Sequence, residues 1–470
     1  MLFNSIDFAL FLPIVWVLFW ISKKNIKLQN NILLVASYIF YGWWDYRFLA
    51  LIAISSLVDY LVGLQLGKNH KKRWLLLSLI VNLGMLGFFK YADFFAQSFA
   101  DAFTFFGSEI NPKRLNIILP VGISFYTFQT LSYSLDIYHQ KIKPTKSLIS
   151  FLAFVSFFPQ LVAGPIERAS KLLPQFEKLK KMDLNFMGKG LQQMLWGFFK
   201  KMVIADNCAI LVDQVFNSPG DHNGWSLLVG AFFFAFQIYG DFSGYSDIAI
   251  GTAKLFGFRL SQNFAFPYFS RDIAEFWRRW HISLSSWFKD YLYIPLGGSK
   301  LGKTKALRNI FIIFLVSGFW HGANWTFIAW GAAHAFLFIP LFVLGKNRQN
   351  TQNDIRLSFV TIYKILTTFL LVSLSWILFR AQNLEQAFLI YKQIFHFSNW
   401  GPSTFQNINT LLVMLGFLLM VEWMNKTEIN PLERLNRLPK LITLLFYGFV
   451  LFCISMFSPT QEMPFIYFQF

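Results

Sequence analysis

The sequence contains little charge for its length. Charged residues make up 14% of the 470 residues, whereas 55% are hydrophobic and 59 are phenylalanine; soluble domains carry about 25% charged residues. Apolar stretches long enough to cross a membrane recur from end to end, which argues against a set of soluble domains. We predict one all-α, polytopic membrane domain over residues 1–470, with about 11–13 transmembrane or re-entrant helices.

Cysteine is almost absent, and the common motifs of soluble enzymes are missing. Cys208 and Cys453 lie in separate apolar segments, so the sequence offers no disulfide framework and no cysteine-based metal site. The chain has no H-E-x-x-H zinc motif, no G-x-S-x-G nucleophile elbow and no P-loop lysine. These absences argue against zinc hydrolases, serine hydrolases and P-loop enzymes, and we predict neither a bound metal nor a bound cofactor.

Basic residues outnumber acidic ones, giving a net charge of +18, but they are not arranged for binding nucleic acid. They form short runs between apolar segments, which is typical of cytoplasmic loops under the positive-inside rule. These runs are KKNIK (23–27), KNHKKR (68–73), KIKPTK (141–146) and KLKK (178–181). We therefore predict a multi-pass protein that contacts membrane lipid and does not bind nucleic acid.

The apolar stretches predict the spans and, with the charged loops, their orientation. The predicted spans are 7–22, 30–45, 46–66, 74–90, 115–139, 190–216, 225–257, 307–320, 323–344, 358–379, 408–425 and 440–457. Residues 92–106 and 148–163 are shorter and are predicted to form partial or re-entrant helices. Loop 217–224 has no Lys or Arg and is placed outside, whereas 258–308 has nine against three acids and is placed inside.

The stretch VSGFWHGANWTFIAWGAAH (316–334) places His321 inside an apolar run. Flanking Gly318 and Gly322 predict a break between two membrane helices, where irregular backbone is tolerated if it lines a protein cavity. An ionisable group at membrane depth is a functional candidate, and histidine is the usual general base near neutral pH. The alternative is a histidine that only holds two helices together, and we favour that packing role for His334.

Residues 271–290 (RDIAEFWRRWHISLSSWFKD) predict one amphipathic helix, either at the membrane interface or re-entrant. Its apolar face comprises Ile273, Phe276, Trp277, Trp280, Leu284, Trp287 and Phe288. Its polar face comprises Arg271, Asp272, Glu275, Arg278, Arg279 and Lys289. His281 lies on the tryptophan side, either as an active-site group or as a hydrogen-bonded interface residue. Arg278 and Arg279 are candidates for binding the phosphates of an acyl carrier, with anionic lipid as the alternative partner.

The segment QIYGDFSGYSDIAIG (237–251) is unusually polar for a spanning helix. Its polar residues are Gln237, Tyr239, Asp241, Ser243, Tyr245, Ser246 and Asp247, and three glycines allow close packing or a break. Two carboxylates at membrane depth need partners or water, and Lys200 and Lys201 could pair with them. The segment is predicted to line the same cavity as His321; an interhelical network that only fixes packing is the alternative.

Several segments together resemble the membrane-bound O-acyltransferase family. The likeness is carried by QIYGDFSGYSDIAIG (237–251), WRRWHISLSSWFKDYLYIPLGG (277–298) and FWHGANWTFIAWGAAH (319–334), within a family-like core of about residues 115–345. The bacterial branch, which acylates cell-surface polymers, is similar also in MLFNSIDFALFLP (1–13), FYGWWDYRFL (40–49), PVGISFYTFQTLSYSLDIY (120–138), FFPQLVAGPIER (157–168) and FIYFQF (465–470).

The resemblance implies a fold, a reaction and two catalytic residues. The family's catalytic histidine matches His321, and a second position, histidine or asparagine in other members, matches His281. The implied fold is a many-helix body with a cavity reaching both faces of a bacterial inner membrane. The implied donor is a cytoplasmic acyl thioester, either acetyl-CoA or an acyl carrier protein. An extracytoplasmic modifying protein is the implied partner, and a polysaccharide is the final acceptor.

From these observations we expect an O-acyltransferase that serves O-acetylation of an extracytoplasmic polysaccharide such as alginate. Teichoic-acid D-alanylation and peptidoglycan O-acetylation are alternatives within the family. A transporter or channel, or a scaffold for an export complex, are alternatives of another class. The predicted substrate-binding residues, besides the two histidines, are Trp277, Trp280, Tyr239, Asp241, Ser243, Asp247 and Asn324.

Overall fold

The structure is a computed structural model of the whole chain. It describes residues 1–107, 115–162, 164–300, 302–351, 355–402, 405, 408–428, 430–459 and 463–468. Within these residues the regular structure is entirely helical, without strands. The chain forms two compact units: unit 1 comprises residues 1–190 and 249–261, and unit 2 comprises 191–248 and 262–470.

Seven helices in the described part of the chain are long and apolar enough to cross a membrane. They are Tyr46–Asn69, Lys72–Phe105, Gly224–Leu255, Trp325–Val343, Phe359–Arg380, Ile408–Asn425 and Lys440–Phe457. Burial separates an interior helix from a lipid-facing one: 83% of the apolar window of Gly224–Leu255 is buried, against 11% for Lys440–Phe457. The polar segment 237–251 therefore faces protein. The chain is a polytopic helical membrane protein, as predicted.

Unit 1 consists of the first part of the chain. Its helices are α1 (Ile6–Ile21), α2 (Ile26–Gly42), α3 (Leu49–Asn69), α4 (Lys72–Leu86), α5 (Ala92–Phe105), α6 (Ile123–Tyr138), α7 (Leu148–Ser156), α8 (Phe158–Leu161) and α9 (Ala169–Phe176). Helix α6 is central, because nearly all of its side chains are buried and it packs against both α3 and α4.

A buried carboxylate joins three of these helices. Asp59 of α3 accepts hydrogen bonds from Ser78 Oγ (2.5 Å), Asn82 Nδ2 (2.6 Å) and Ser134 Oγ (2.8 Å). The amide oxygen of Asn82 in turn accepts from Ser55 Oγ at 3.0 Å. All five side chains are fully buried. Hydrogen bonding of this kind offsets the cost of burying polar groups, so the cluster fixes how α3, α4 and α6 pack.

Two predicted boundaries in unit 1 are wrong. The predicted span 115–139 is helical only from Ile123, because Pro120 lacks an amide hydrogen and Gly122 adopts a left-handed φ of 75°. Residues 92–106 are not a separate partial helix. They continue α4 through a π-helical turn, Gly87–Tyr91, into one 34-residue helix.

Unit 2 carries most of the polar residues singled out in the sequence. Its helices are the end of α10 (Leu184–Phe198), α11 (Asp206–Phe216), most of α12 (Gly224–Leu255), α13 (Ile273–Arg279), α14 (Ile282–Phe288), α15 (Lys303–His321), α16 (Trp325–Val343), α17 (Phe359–Arg380), α18 (Leu384–Phe395), α19 (Ile408–Asn425) and α20 (Lys440–Phe457). A π-helical segment, Phe199–Ala205, joins α10 to α11.

Glycines bring α12 against this π-helical segment. A Cβ atom added at Gly244 would lie 2.8 Å from the carbonyl oxygen of Gly197, and one added at Gly240 would lie 2.9 Å from that of Lys200. Both distances are shorter than the distances at which Cβ atoms occur next to a backbone oxygen in proteins. The small residues in QIYGDFSGYSDIAIG therefore permit close approach of the two backbones.

Candidate active site

The helix break at His321 is confirmed. His321 is the last residue of α15, Gly322 is extended, and the side chain of Asn324 caps α16 by accepting a hydrogen bond from the Thr326 N–H at 3.0 Å. The two helices pack tightly, because Gly318 faces the backbone of Phe327 without room for a Cβ atom. The chain thus presents His321 at the end of a rigid helical hairpin.

The predicted single helix over 271–290 is wrong. The chain forms α13 and α14, and His281 stands between them with a left-handed φ of 43°. A histidine in this region is uncommon and, where the fold maintains it, is often found at functional sites. The break turns the His281 side chain into the interior of unit 2, where it is fully buried, instead of along an interfacial tryptophan face.

Asn263 holds this break, although sequence reasoning did not identify it. Its carbonyl oxygen accepts from the Ile282 N–H at 2.9 Å, and its side-chain oxygen accepts from Ser283 Oγ at 2.8 Å. Its amide nitrogen donates to Ser246 Oγ of α12 at 3.1 Å. An isolated asparagine in a loop gives no recognisable sequence signal, because these partners are assembled only by the fold.

The two candidate catalytic histidines lie side by side. The ring centroids of His281 and His321 are 6.2 Å apart, and the rings are inclined by 41°. His281 also contacts the rings of Phe242 at 4.7 Å and Phe264 at 6.4 Å. Both of its ring nitrogens are buried without a hydrogen-bond partner among the described residues. Burial lowers the pKa of His281 to about 3, so its imidazole is neutral at physiological pH.

His321 is only 3% exposed and has a polar contact at one nitrogen. Its Nδ1 lies 3.3 Å from the hydroxyl oxygen of Tyr467, near the C-terminus. In the tautomer in which Nδ1–H donates to this hydroxyl, the lone pair remains at Nε2. Phe379 and Trp330 pack edge-on against the His321 ring at 5.3 and 5.1 Å. This tautomer makes Nε2 the candidate proton acceptor.

Both ring nitrogens of His334 have a partner within the protein. The indole N–H of Trp277 donates to Nδ1 at 3.2 Å, and Ser375 Oγ lies 2.9 Å from Nε2. Because an indole can only donate, Nδ1 is unprotonated and Nε2 carries the hydrogen. The hydroxyl of Ser375 then donates onward to the carbonyl of Val372 at 2.7 Å. This chain of bonds supports the packing role favoured from the sequence.

The two predicted tryptophans form part of the aromatic wall around the histidines. Trp277 packs against Trp330 at 5.7 Å. Trp280 packs against Trp376 at 5.0 Å and Tyr239 at 6.2 Å. Trp330 touches both His321 and Trp376, so the wall is continuous. Rings of this kind exclude water and leave little freedom for the imidazoles.

Two of the predicted polar residues join buried clusters on α12. Asp247 accepts from Lys200 Nζ at 2.5 Å and from Gln193 Nε2 at 2.6 Å. The Tyr239 hydroxyl donates to Glu422 of α19 at 2.7 Å. Glu422 was missed because a single acid in an otherwise apolar helix has no local pattern. Both residues therefore have partners within the protein.

The remaining predicted binding residues are placed differently. Asp241 pairs with Lys201, with 2.8 Å between carboxylate and ammonium. The Ser243 hydroxyl is buried without a partner among the described residues. Asn324 caps α16 and donates its amide hydrogen to the carbonyl of Gln382 at 2.8 Å. Of this set, Ser243 retains unused hydrogen-bonding capacity.

The arginines of α13 are engaged within the protein. Arg279 is 4% exposed and pairs with Glu275, itself 1% exposed, at 2.8 Å. The prediction that these two residues lie on an exposed polar face is therefore wrong, because they pair with each other in the interior. Arg278 donates to the carbonyls of Asn347 and Asn350 at 2.8 and 2.9 Å. It ties the loop after α16 to α13.

A cavity of about 890 Å³ lies elsewhere in unit 2, between α11, α19 and α20. It is lined mainly by apolar side chains, and neither histidine borders it. Among the described residues, no group of three or more His, Cys, Asp or Glu side chains is arranged to hold a metal ion. The chemistry that the arrangement offers is proton transfer at His321, beside the neutral ring of His281, which has unused hydrogen-bonding capacity.

Known proteins resemble the chain over most of its length. A family model described as MBOAT, membrane-bound O-acyltransferase family, matches residues 44–360. "Probable alginate O-acetylase AlgI" of Pseudomonas aeruginosa is 41% identical over 430 residues, covering 89% of this chain and 80% of the relative. "Peptidoglycan O-acetyltransferase" of Helicobacter pylori is 36% identical, with coverages of 88% and 85%. "Teichoic acid D-alanyltransferase" of Streptococcus thermophilus is 31% identical over 46% of this chain and 54% of the relative.

Proposed function

Because the chain belongs to the membrane-bound O-acyltransferase family, and is thus a multi-pass membrane O-acyltransferase, we propose that it serves O-acetylation of an extracytoplasmic polysaccharide. Alginate is the first candidate polymer, since the relatives with about 40% identity are named as alginate O-acetylases. Peptidoglycan is the second, because the chain covers 85% of a relative named for that polymer. The teichoic-acid relatives match only about half of this chain, which favours acetyl over D-alanyl transfer.

The observation that carries the mechanism is the pair His281 and His321, whose ring centroids lie 6.2 Å apart within an aromatic enclosure. His321 Nε2 takes the proton from the attacking hydroxyl as its oxygen bonds to the thioester carbonyl carbon. The carbon–sulfur bond then breaks, and the sulfur takes up that proton and leaves as a thiol. A positioned base of this kind contributes about 10²–10⁴-fold to the rate.

His281 supplies the complementary role. Its ring nitrogens have no partner among the described residues, and the depressed pKa keeps the ring neutral. A neutral imidazole donates one hydrogen bond, here to the oxygen that becomes negative in the tetrahedral intermediate. Removing one such donor typically costs about 10²–10³-fold in kcat. The unpartnered Ser243 hydroxyl is a second candidate donor to bound substrate.

The charge pattern supports the direction of transfer. Residues 258–308 are predicted to face the cytoplasm, so the donor thioester, acetyl-CoA or an acetylated carrier protein, approaches from there. The immediate acceptor hydroxyl belongs either to a sugar or to a partner protein that modifies the polymer outside. The inner membrane of a bacterium is the location that fits this reaction.

The test uses the purified protein in lipid nanodiscs with acetyl-labelled CoA or carrier protein, and with alginate or peptidoglycan fragments as acceptors. We expect His321-dependent transfer of label to an acceptor or hydrolysis of the thioester. A transporter would leave the thioester intact while moving a solute, which a parallel liposome flux assay measures. An intact thioester with every donor and acceptor, in protein that is folded, contradicts the proposal.

A further inference from the structure

The ammonium group of Lys201 is surrounded by three oxygens within unit 2. Its Nζ lies 2.7 Å from Asp206 Oδ1, 2.8 Å from Asp241 Oδ1 and 3.1 Å from the carbonyl oxygen of Met463. An ammonium has three hydrogens, so each has a nearby acceptor. The third acceptor belongs to the C-terminal segment, Met463–Tyr467, and not to a helix.

The same cluster binds that segment at a second point. The other carboxylate oxygen of Asp241 accepts a hydrogen bond from the Ile466 N–H at 2.6 Å. The side chains then complete the contact, because the ring of Phe465 packs on Tyr245 at 4.4 Å. Both Phe465 and Ile466 are at most 1% exposed. The main-chain bonds do not depend on side-chain identity, but they fix the register of the segment.

The register determines what lies beside the catalytic base. The residue after Ile466 is Tyr467, whose hydroxyl approaches His321 Nδ1 at 3.3 Å. Its ring packs on Phe242 at 4.5 Å, and Phe242 also touches His281. A shift of the segment by one residue would replace this hydroxyl with an apolar side chain, since Ile466 and Phe468 flank Tyr467.

The π-helical segment Phe199–Ala205 explains how Lys201 reaches the C-terminal segment. Consecutive lysines point to different acids of α12: Lys200 to Asp247 and Lys201 to Asp241. The extra residue of a π turn rotates the following side chains, and such turns are frequent at functional sites. A buried lysine with two carboxylates is seldom more stabilising than apolar packing, so stability alone gives little reason for this cluster.

We propose that Lys201 and Asp241 form a binding site for the main chain of the C-terminal segment, that Asp206 holds Lys201 in place, and that the three act as positioning residues for Tyr467 and His321. The positioning role rests on the proposed acyl transfer, whereas the binding site does not. Loss of the site releases the segment, leaves His321 Nδ1 without its hydroxyl partner and lowers turnover in a protein that is otherwise folded.

Two variants test the site, one by changing the cluster and one by changing the C-terminal segment. Lys201→Met removes the ammonium group. Ile466→Pro removes the N–H that donates to Asp241, together with the isoleucine side chain, and leaves the residues of the cluster itself unchanged. Ile466→Val keeps the N–H and is the matched control for the side chain. Arg434→Gln, which breaks the more exposed pair with Glu428, controls for loss of an ion pair.

Hydrogen–deuterium exchange of the C-terminal peptide and acyl-transfer kinetics are measured on each protein in nanodiscs. We expect exchange at least about tenfold faster in Lys201→Met and Ile466→Pro, with kcat lowered about 10–100-fold and KM for the thioester little changed. Both controls should behave like the wild type.

Unchanged exchange in Ile466→Pro would overturn the binding site, even if Lys201→Met does not fold. Faster exchange with a wild-type kcat would overturn the positioning role. Exchange requires no substrate, so it tests the binding site independently of acyl transfer. If the wild type shows no acyl transfer, the proposed function is contradicted, and the exchange measurements alone decide whether the segment is bound.

Discussion

Two buried polar regions, one in each unit, differ in how their hydrogen-bonding groups are used. In unit 1, both oxygens of Asp59 accept hydrogen bonds, from Ser78 and Ser134 on one side and Asn82 on the other. In unit 2, His281 is equally buried, yet neither of its nitrogens has a partner among the described residues. Burying a polar group without a partner costs about 1–3 kcal/mol.

The difference separates a structural cluster from a candidate active site. A satisfied carboxylate fixes the packing of three helices and has no capacity left for a substrate. An unsatisfied imidazole beside a second histidine retains that capacity, and its cost is offset elsewhere in the fold. Burial by itself therefore does not identify function in this protein; unused hydrogen-bonding capacity next to a candidate base does.

The largest expected effect comes from His321, the proposed base. His321→Ala should lower acyl transfer by about 10²–10⁴-fold, because no positioned group remains to take the hydroxyl proton. The measurement is turnover per folded protein in nanodiscs, with His222→Ala, at a partly exposed position before α12, as the control. Near wild-type turnover in His321→Ala would assign this histidine a packing role like that of His334.

The second effect tests the unsatisfied imidazole. His281→Ala should lower kcat by about 10²–10³-fold, whereas His281→Asn should retain part of the activity because an amide still donates a hydrogen bond. Both variants should melt near the wild-type temperature, since neither nitrogen of His281 has a hydrogen-bond partner among the described residues. Equal turnover in all three proteins, measured per folded molecule, would remove His281 from the active site.

The opposite behaviour is expected in unit 1. Asp59→Ala leaves the hydroxyls of Ser78 and Ser134 and the amide of Asn82 without their acceptor, at about 1–3 kcal/mol for each group left unsatisfied. The melting temperature should fall, while kcat of the folded fraction stays within about twofold of the wild type. Asp101→Ala, at an exposed position, is the control. A loss of kcat without a loss of stability would contradict the structural role that we assign to the Asp59 cluster.

The smallest effect is on the pH dependence of stability. The pKa of His281 is lowered to about 3, so between that pH and the ordinary value of about 6.5 the unfolded chain binds a proton there and the folded protein does not. Stability from the neutral ring is present above pH 6.5 and is lost as the pH falls. Acidification from about pH 7.5 to about pH 5 should therefore lower the melting temperature of the wild type more than that of His281→Asn. Equal shifts would contradict the depressed pKa.

Part of the fold was accessible from the sequence because it depends on local composition. Apolar length predicted the membrane helices, and the glycines beside His321 predicted the break between α15 and α16. The break at His281 was missed, because tryptophans at helical spacing favour a continuous helix over 271–290. A backbone bond from Ile282 to Asn263 and a side-chain bond from Ser283 hold the break, and Asn263 lies outside the segment whose pattern predicted the helix.

The sequence by itself determined a helical membrane protein and marked His281 and His321 as candidates, since apolar length, glycine breaks and family-like motifs are local properties. Only the tertiary structure decided what each polar group does. In the folded protein, His334 has hydrogen-bond partners, His281 has none among the described residues, and Arg279 pairs with Glu275 in the interior. The tertiary structure also brought Tyr467 to His321 across 146 positions of chain. Hydrogen-bond satisfaction depends on which groups meet, and that is fixed by packing between elements far apart in sequence.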